Sequence, residues 1–313
     1  RPACGAGDGL LRGAGDGATM RYVIDHTTRL TLAQPVREHH CELRLVPSDS
    51  SAQRVHAATI AVEPTAELDS YVDYFGNQVH HFSIGSPHTE LVTRLHAEVE
   101  TLLSNPFDFP LVPPHRERDW IADTLKAQPR LWDYVLAYSP ITPDLNRVEL
   151  PELDVPTHSP ARHVIDSVTA AMEWIATQLT YRPGATRVHS TFAEVWKQRA
   201  GVCQDFAHLL IAVVRSWSVP ARYVMGYQDP ECAEDDTQPA APHAWAEVLI
   251  PGAGWRGFDP TARLVANDNY VVVAVGRDSL DAAPQRGSFK GEGSDEGPEV
   301  TLRIAREQQE SAQ

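Results

Sequence analysis

A cysteine, a histidine and an aspartate occur in this chain in local settings suited to nucleophilic catalysis. Cys203 follows Gly201-Val202 and begins a run whose apolar residues recur at helical spacing, so we predict that it opens a helix. A helix N-terminus presents free N–H groups and the positive end of the helix dipole, which favour a thiolate nucleophile and can stabilise an oxyanion. Taken alone, however, this setting is more often that of a buried, inert cysteine.

Two further residues could supply the partners that a catalytic thiol needs. His243 opens the strand-like segment HAWAEVLI, residues 251–254 (PGAG) are typical of a hairpin turn, and Asp259 ends the returning segment WRGFD. A simple four-residue loop would place His243 and Asp259 on opposite faces of the hairpin, whereas a one-residue bulge at Gly254 brings them to the same face. We therefore expect an irregularity near Gly254, with the carboxylate bonded to one imidazole nitrogen and the thiol at the other.

The rest of the chain divides into segments of different character. From Tyr22 to about Val99, short segments rich in Val, Ile, Leu and Thr alternate with turn residues, which predicts an antiparallel β-sandwich. A Pro-rich stretch follows, and then apolar spacing predicts helices over residues 162–179, from Thr191 to an end at Gly201, and from Cys203 to about Pro220. Strand-like segments occupy most of the remainder.

These segments predict four regions. Residues 1–19, which carry GAGDG twice and no apolar period, are expected to be a flexible leader before a natural start at Met20. We place a β-sandwich domain over residues 20–105, a Pro-rich helical linker over 106–160, and a catalytic core with C-terminal strands over 161–313.

Four sequence blocks, taken together, resemble the bacterial transglutaminase-like family: GVCQDFAHL, PARYVMGY, HAWAEV and GWRGFDPT, in the family's order and at its intervals. The run VAVGRD and the preceding β region, with its DYFGN turn, are also similar to bacterial members. The resemblance implies an α+β fold, with a papain-like (transglutaminase-like) catalytic core preceded by an antiparallel β-sandwich domain. It also implies a catalytic triad in which Cys203 matches the nucleophile, His243 the general base and acid, and Asp259 the orienting carboxylate.

The reaction expected of such a triad is acyl transfer through a thioester. We expect water as the acyl acceptor, so that the protein is a cysteine peptidase or amidase acting on a peptide or protein substrate. The family also contains crosslinking enzymes, so a protein-glutamine transglutaminase forming amine conjugates or crosslinks is an alternative. A non-catalytic peptide-binding module is a second alternative. No cofactor is needed, and the sequence contains neither a D-x-[DN]-x-[DN]-G loop nor an H-E-x-x-H or C-x-x-C motif, so we expect no metal site.

Several neighbours of the triad allow two interpretations. Asp205 could complement the helix dipole or anchor the site, and His208 is more often a hydrogen-bonded structural histidine than a catalyst. Gln198 or Trp196 could donate a hydrogen bond to an oxyanion, although packing explains Trp196 equally well. Trp245 could line a substrate groove, but an aromatic residue on a strand usually belongs to the core.

Charge and cysteine content limit the partners and the setting. The formal net charge of −15 disfavours nucleic acid and anionic membranes, because both present negative charge. No apolar run approaches the roughly 18–20 residues that span a bilayer. The four cysteines (Cys4, Cys41, Cys203 and Cys232) form no paired framework, which predicts a reducing, cytoplasmic setting. Acidic neighbours of Cys232 disfavour a thiolate there.

Overall fold

A computed structural model describes residues 19–148, 150, 153–230, 241–292 and 297–307. The predicted leader (apart from its last residue), Cys4 and Cys232 lie outside these ranges. The strands are β1 Met20–Leu43, β2 Gln53–Glu63, β3 Asp69–Val72, β4 Gln78–Ile84, β5 His88–Thr101, β6 Thr180–Tyr181, β7 Ala200–Gly201, β8 Ala221–Gln228, β9 His243–Ile250, β10 Gly254–Asp259, β11 Leu264–Val265, β12 Tyr270–Gly276, β13 Gln285–Lys290 and β14 Glu299–Glu307. The helices are α1 Pro114–Ala127, α2 Val164–Gln178, α3 Phe192–Gln198 and α4 Cys203–Ser216, with 3₁₀ turns at Pro129–Tyr134 and Leu145–Arg147. None of these helices has both the length and the apolarity to cross a bilayer.

The long strand β1 organises an antiparallel β region. Its first half pairs with β5 and β14, and its last residues, from His39 onward, pair with β4 and β13. The register shifts between Thr31 and Val36, and Glu38 has a positive φ of 52°, so the strand bends between its two halves. The strand orders β2-β5-β1-β14 and β3-β4-β1-β13 result, and the two sections share β1. The predicted antiparallel β region is therefore present.

The last two strands do not join the five-stranded sheet of the core. β13 and β14 both pair with β1, in registers such as Arg21 with Glu307 and Leu43 with Gln285. The sequence analysis grouped these strands with the catalytic core, because alternation of apolar and polar residues indicates a strand but not the sheet that it joins. The chain therefore passes from the β region into the core, and its last two strands return to the β region.

The core predicted to be catalytic is an antiparallel sheet with helices packed on it. Its strand order is β11-β10-β9-β8-β12, and α4 packs against β9 and β8 on one side and α2 on the other. Every α4 residue from Asp205 to Arg215 is buried. Each buried apolar side chain stabilises the fold by roughly 1.5–3 kcal/mol. Burial therefore fixes the position of α4 against the sheet, and with it the position of the first residue of α4.

Two side-chain amides join the β region to the core sheet. The carboxamide of Gln53 donates to the Val272 carbonyl and accepts from its N–H, and Asn77 forms the same pair of bonds with Val275, all four at 2.8 Å. Both amides are buried. They satisfy backbone groups of β12, which would otherwise end the sheet with unpaired N–H and C=O groups. One large cluster of buried hydrophobic residues extends through both regions.

Candidate active site

Cys203 is the first residue of α4, as the sequence predicts. Val202 before it has an extended backbone (φ −116°, ψ 178°), so the helix starts abruptly at the thiol-bearing residue. The first turn of a helix leaves backbone N–H groups without intrahelical partners. Cys203 is partly exposed at this end of the helix.

Asp205 fixes the backbone around Cys203. Its side chain is 1% exposed, and its Oδ2 accepts hydrogen bonds from the Val202 N–H (2.8 Å) and the Thr186 hydroxyl (2.6 Å). A Cβ at Gly201 would lie 2.6 Å from the same oxygen, so only glycine fits there. Burial raises the pKa of Asp205, against the opposing effect of these two hydrogen bonds. Of its two interpretations, the structure supports an anchor for the site.

The turn between β9 and β10 determines on which face of the hairpin the side chains of His243 and Asp259 lie. Ile250 pairs with Gly254, which leaves a loop of residues 251–253 closed by a 3.0 Å bond from the Ala253 N–H to the Ile250 carbonyl. Gly252 and Gly254 have φ values of +83° and +78°, which only glycine adopts easily. Because the loop has three residues rather than four, the side chains at 243 and 259 lie on the same face.

The structure brings His243 and Asp259 into direct contact. Asp259 is fully buried, and its Oδ2 lies 2.6 Å from the Nε2 of His243. The same oxygen accepts from the Tyr270 hydroxyl at 2.9 Å, while Oδ1 accepts from the N–H groups of Thr261 (2.9 Å) and Ala262 (3.2 Å). Four donors therefore surround the carboxylate, which stabilises its ionised form despite burial.

This arrangement favours a protonated imidazole beside the thiol. Burial alone would lower the pKa of His243, but the charge of Asp259 and hydrogen bonds with Asp259 and the Cys203 thiol raise it to about 10. Burial would raise the pKa of Asp259, but the positive His243 and the surrounding donors hold it below its ordinary value. Since Asp259 engages Nε2, Nδ1 is left for Cys203. The three groups can therefore form a thiolate–imidazolium–carboxylate array.

Two residues behind this array were missed by the sequence analysis. Tyr270 donates to Asp259, and its own oxygen accepts a bond from the Gln228 side chain at 3.0 Å. The indole of Trp245, 1% exposed, stacks on His243 with ring centroids 6.2 Å apart and meets Tyr270 edge-on at 5.2 Å. Trp245 therefore supports the imidazole from behind rather than lining a groove. Tyr270 and Gln228 could have been found only by knowing that β12 neighbours β8.

The remaining candidates near the motif lie elsewhere. His208 is 2% exposed, accepts the Ser279 N–H at 3.1 Å, and has a pKa lowered by burial to about 3, so it is structural. Trp196 is buried and stacks against Trp174, and Gln198 is exposed at the end of α3.

Cys41 has a histidine neighbour, but its side chain is buried and not accessible to a substrate. Its sulfur lies 3.3 Å from the Nε2 of His39, whose Nδ1 contacts His88 at 3.1 Å, and all three side chains are buried. Burial raises the pKa of Cys41 to about 12, which disfavours a nucleophilic thiolate. Across the described part of the chain, no three His, Cys, Asp or Glu side chains are grouped to hold a metal ion.

Comparison with known proteins agrees with this architecture. Residues 22–100 match the model of the bacterial transglutaminase-like N-terminal region, and residues 152–260 match that of the transglutaminase-like superfamily. An uncharacterized protein of Mycobacterium leprae is 33% identical over 88% of this chain and 95% of its own. A protein-glutamine gamma-glutamyltransferase of Pseudomonas aeruginosa is 33% identical, but over only 26% of this chain and 13% of its own.

A solved structure shares the whole fold. The crystal structure of a proposed cysteine protease from Cytophaga hutchinsonii covers 92% of this chain and 91% of its own, with a TM-score of 0.66 at 21% identity. The predicted combination of an antiparallel β region and a papain-like α+β core is thereby confirmed. The chain belongs to the bacterial transglutaminase-like superfamily.

Proposed function

We propose that the protein is a cysteine-nucleophile acyl-transfer enzyme that hydrolyses amide or peptide bonds. The observation that carries the proposal is the 2.6 Å bond between His243 Nε2 and Asp259 Oδ2. Cys203 lies near enough to the same imidazole to contribute to its raised pKa. A nucleophile, a base and an orienting carboxylate within bonding reach are the arrangement that thiol acyl transfer requires.

The proposed reaction proceeds in two steps. The Cys203 thiolate attacks the amide carbonyl, and N–H groups at the start of α4 stabilise the oxyanion that forms. The His243 imidazolium then gives its proton to the departing amine, the C–N bond breaks, and a thioester remains on Cys203. Next, His243 takes a proton from water, the resulting hydroxyl attacks the thioester, and the acid is released. Asp259 holds the imidazole in position throughout.

Transfer of the acyl group to an amine is the second candidate. It is supported by the similarity of part of this chain to the Pseudomonas glutamyltransferase, whereas hydrolysis is supported by the likeness to the proposed protease. Both reactions share the thioester, so they differ only in what attacks it. Assignment of the acceptor therefore requires an experiment in which both acceptors compete.

The test is turnover of peptide and glutamine-amide substrates with and without an added primary amine, with products identified by mass spectrometry. We expect the free acid as the main product even with the amine in excess. Cys203→Ala should abolish turnover, and Cys41→Ala, the matched control, should retain it. Amine conjugates as the main product would establish the transferase instead. Turnover by Cys203→Ala would refute the nucleophile, and no turnover by any variant would favour a binding module.

We further propose a reducing, cytoplasmic setting. The two cysteines in the described part of the chain, Cys41 and Cys203, are both free thiols, and a free nucleophilic thiol persists best where disulfides do not form. Fractionation of cells producing the natural protein would test this proposal. Recovery in an oxidising compartment would contradict it.

A further inference from the structure

A loop of residues 182–190 borders the start of the catalytic helix. At its beginning, the Arg182 N–H donates to the Gly201 carbonyl at 2.8 Å, two residues before the nucleophile. Near its end, the Val188 carbonyl accepts from the side chain of Gln204 at 3.2 Å, one residue after the nucleophile. The loop is therefore bonded to the chain on both sides of the reactive cysteine.

Tyr181, the residue directly before this loop, shows that the loop begins near Cys203 and Asp259. Burial and the negative charges of Cys203 and Asp259 raise the pKa of its phenol. The residue is nevertheless 43% exposed, and it pairs with Gly201 between the short strands β6 and β7. The loop thus forms a wall beside the site that a substrate can touch.

This wall carries unpaired positive charge. Arg182 and Arg187 are exposed, and neither guanidinium has an ion-pair or hydrogen-bond partner among the residues that the structure describes. The nearest acidic residue in sequence after them, Glu194, is already occupied by the N–H and hydroxyl of Thr191. The two arginines contrast with the chain's formal net charge of −15.

A third arginine lies in the turn after the catalytic carboxylate. The N–H groups of Thr261 and Ala262 hold Asp259, and Arg263 follows them directly. Arg263 is exposed, has no partner within the described ranges, and has a φ of 54°. A left-handed conformation is disfavoured for any residue with a Cβ, and turns usually place Gly or Asn there.

We propose that Arg182, Arg187 and Arg263 form a cationic rim that selects acyl donors with carboxylates beside the reacting amide. The substrate class would then be acidic peptide segments. This inference rests on the proposed function, because it concerns the substrate of the same thiol. An anionic donor would approach the site along favourable charge even though the protein as a whole repels anions.

The expected size of the effect follows from Coulomb's law. A unit charge about 10 Å from a reacting anion in water changes a rate by roughly two-fold, so three arginines together give roughly eight-fold. Because the arginines are exposed, salt should screen the effect over a Debye length of about 10 Å at 0.1 M. Measurements therefore belong at low ionic strength, with a second series at high salt.

The test compares alkylation of Cys203 by anionic iodoacetate and neutral iodoacetamide, two reagents of similar size. The variant Arg182→Gln/Arg187→Gln/Arg263→Asn removes the rim charges, and Asn is chosen because it tolerates a positive φ. We expect the iodoacetate-to-iodoacetamide rate ratio to fall roughly eight-fold in this variant and to fall with salt in the parent protein. Arg303→Gln, an exposed arginine on β14 of the β region, is the matched control and should leave the ratio unchanged.

The outcomes separate this inference from the proposed function. If Cys203 is alkylated rapidly but the rate ratio is the same in the parent and the triple variant, the proposed cationic rim is refuted. The assignment of Cys203 as the nucleophile is then unaffected. If neither reagent reacts at Cys203, the proposed function fails and the rim fails with it. With matched peptides carrying Glu or Gln beside the reacting amide, the parent should prefer the Glu peptide, and the triple variant should lose that preference. Equal preference in both proteins would overturn the inference.

Discussion

Replacing Tyr270 by phenylalanine removes one hydroxyl from the buried hydrogen-bond chain behind His243. That hydroxyl donates to Asp259 Oδ2 at 2.9 Å and accepts from the Gln228 amide at 3.0 Å. Because the Gln228 amide supplies a hydrogen to the phenol oxygen, the phenol's own hydrogen is committed to the carboxylate. The aromatic ring, packed against Trp245, stays in place in the variant, so the change tests the hydroxyl alone.

The cost can be worked out from these contacts. A hydrogen bond to a charged partner contributes about 1.5–3 kcal/mol to stability, compared with about 0.5–1.5 kcal/mol for a neutral pair. Tyr270→Phe should therefore lower the free energy of unfolding by about 2 kcal/mol or more, since the Gln228 amide also loses its acceptor. Tyr227→Phe is the matched control, because its hydroxyl bonds a neutral, buried histidine, His26, at 2.8 Å. It should cost about 1 kcal/mol.

The assay is equilibrium denaturant unfolding of a double-mutant cycle with Asp259→Asn. If the Tyr270 hydroxyl acts through the charge of Asp259, its removal should cost at least about 1 kcal/mol less when residue 259 is neutral. The cycle of Tyr227→Phe with Asp259→Asn should be additive. Additive free energies for the Tyr270 pair, or equal costs for Tyr270→Phe and Tyr227→Phe, would refute the reasoning.

Two further predictions concern the same chain of contacts and the junction of the two regions. Because the pKa of His243 rises from 6.5 to about 10 on folding, its pairing with Asp259 should stabilise the protein fully below pH 6.5, by at most ~5 kcal/mol, and progressively less as pH rises toward 10. His243→Gln should flatten this alkaline decline in denaturant unfolding, and an unchanged slope would contradict the assignment. Gln53→Leu and Asn77→Leu each leave a buried N–H and C=O of β12 unpaired, so each should cost about 2–4 kcal/mol by thermal or denaturant unfolding. The exposed Gln198→Leu should lie within about 0.5 kcal/mol of the parent, and equal values for all three would contradict the proposed junction.

Local features of the site could be predicted because local sequence determines them. The start of α4 at Cys203 follows from apolar spacing and a helix-opening position, and Pro251-Gly252 specifies a tight turn. For His243 and Asp259 to lie on the same face of the hairpin, its register must differ by one residue from that of a simple four-residue loop. The three-residue loop 251–253, followed by Gly254, has this register. The catalytic roles of these residues remain predictions until chemistry is measured.

The end of α3 shows how tertiary contacts overrule a local signal. The sequence predicts that Gly201 ends the helix, because glycine is favoured in the left-handed conformation of a helix C-terminus. In the structure α3 ends at Gln198, and Arg199 adopts that conformation with φ 50°. Gly201 is required for another reason, since Asp205 occupies the space of a Cβ there. The contact depends on the fold of α4 and cannot be read from α3.

Pairings between distant strands could not be predicted from one sequence. β14 joins β1 although almost the whole chain separates them, and its alternation would suit the core sheet equally well. Likewise, Tyr270 and Gln228 meet only because β12 lies beside β8. Neither residue stands out within its own strand, so the bond from Gln228 to Tyr270, and through Tyr270 to Asp259, could not be predicted.

The central claim, that Cys203 carries an acyl group during the reaction, can be tested without knowing the natural substrate. The protein is mixed with an activated acetyl ester, quenched in acid within the first turnovers, and examined by intact-mass and peptide-mass spectrometry. The account predicts one added acetyl group on the peptide containing Cys203, its absence in Cys203→Ala, and its presence in Cys41→Ala. An adduct on any other residue, or an unmodified Cys203 in a protein that still cleaves the ester, would contradict the account.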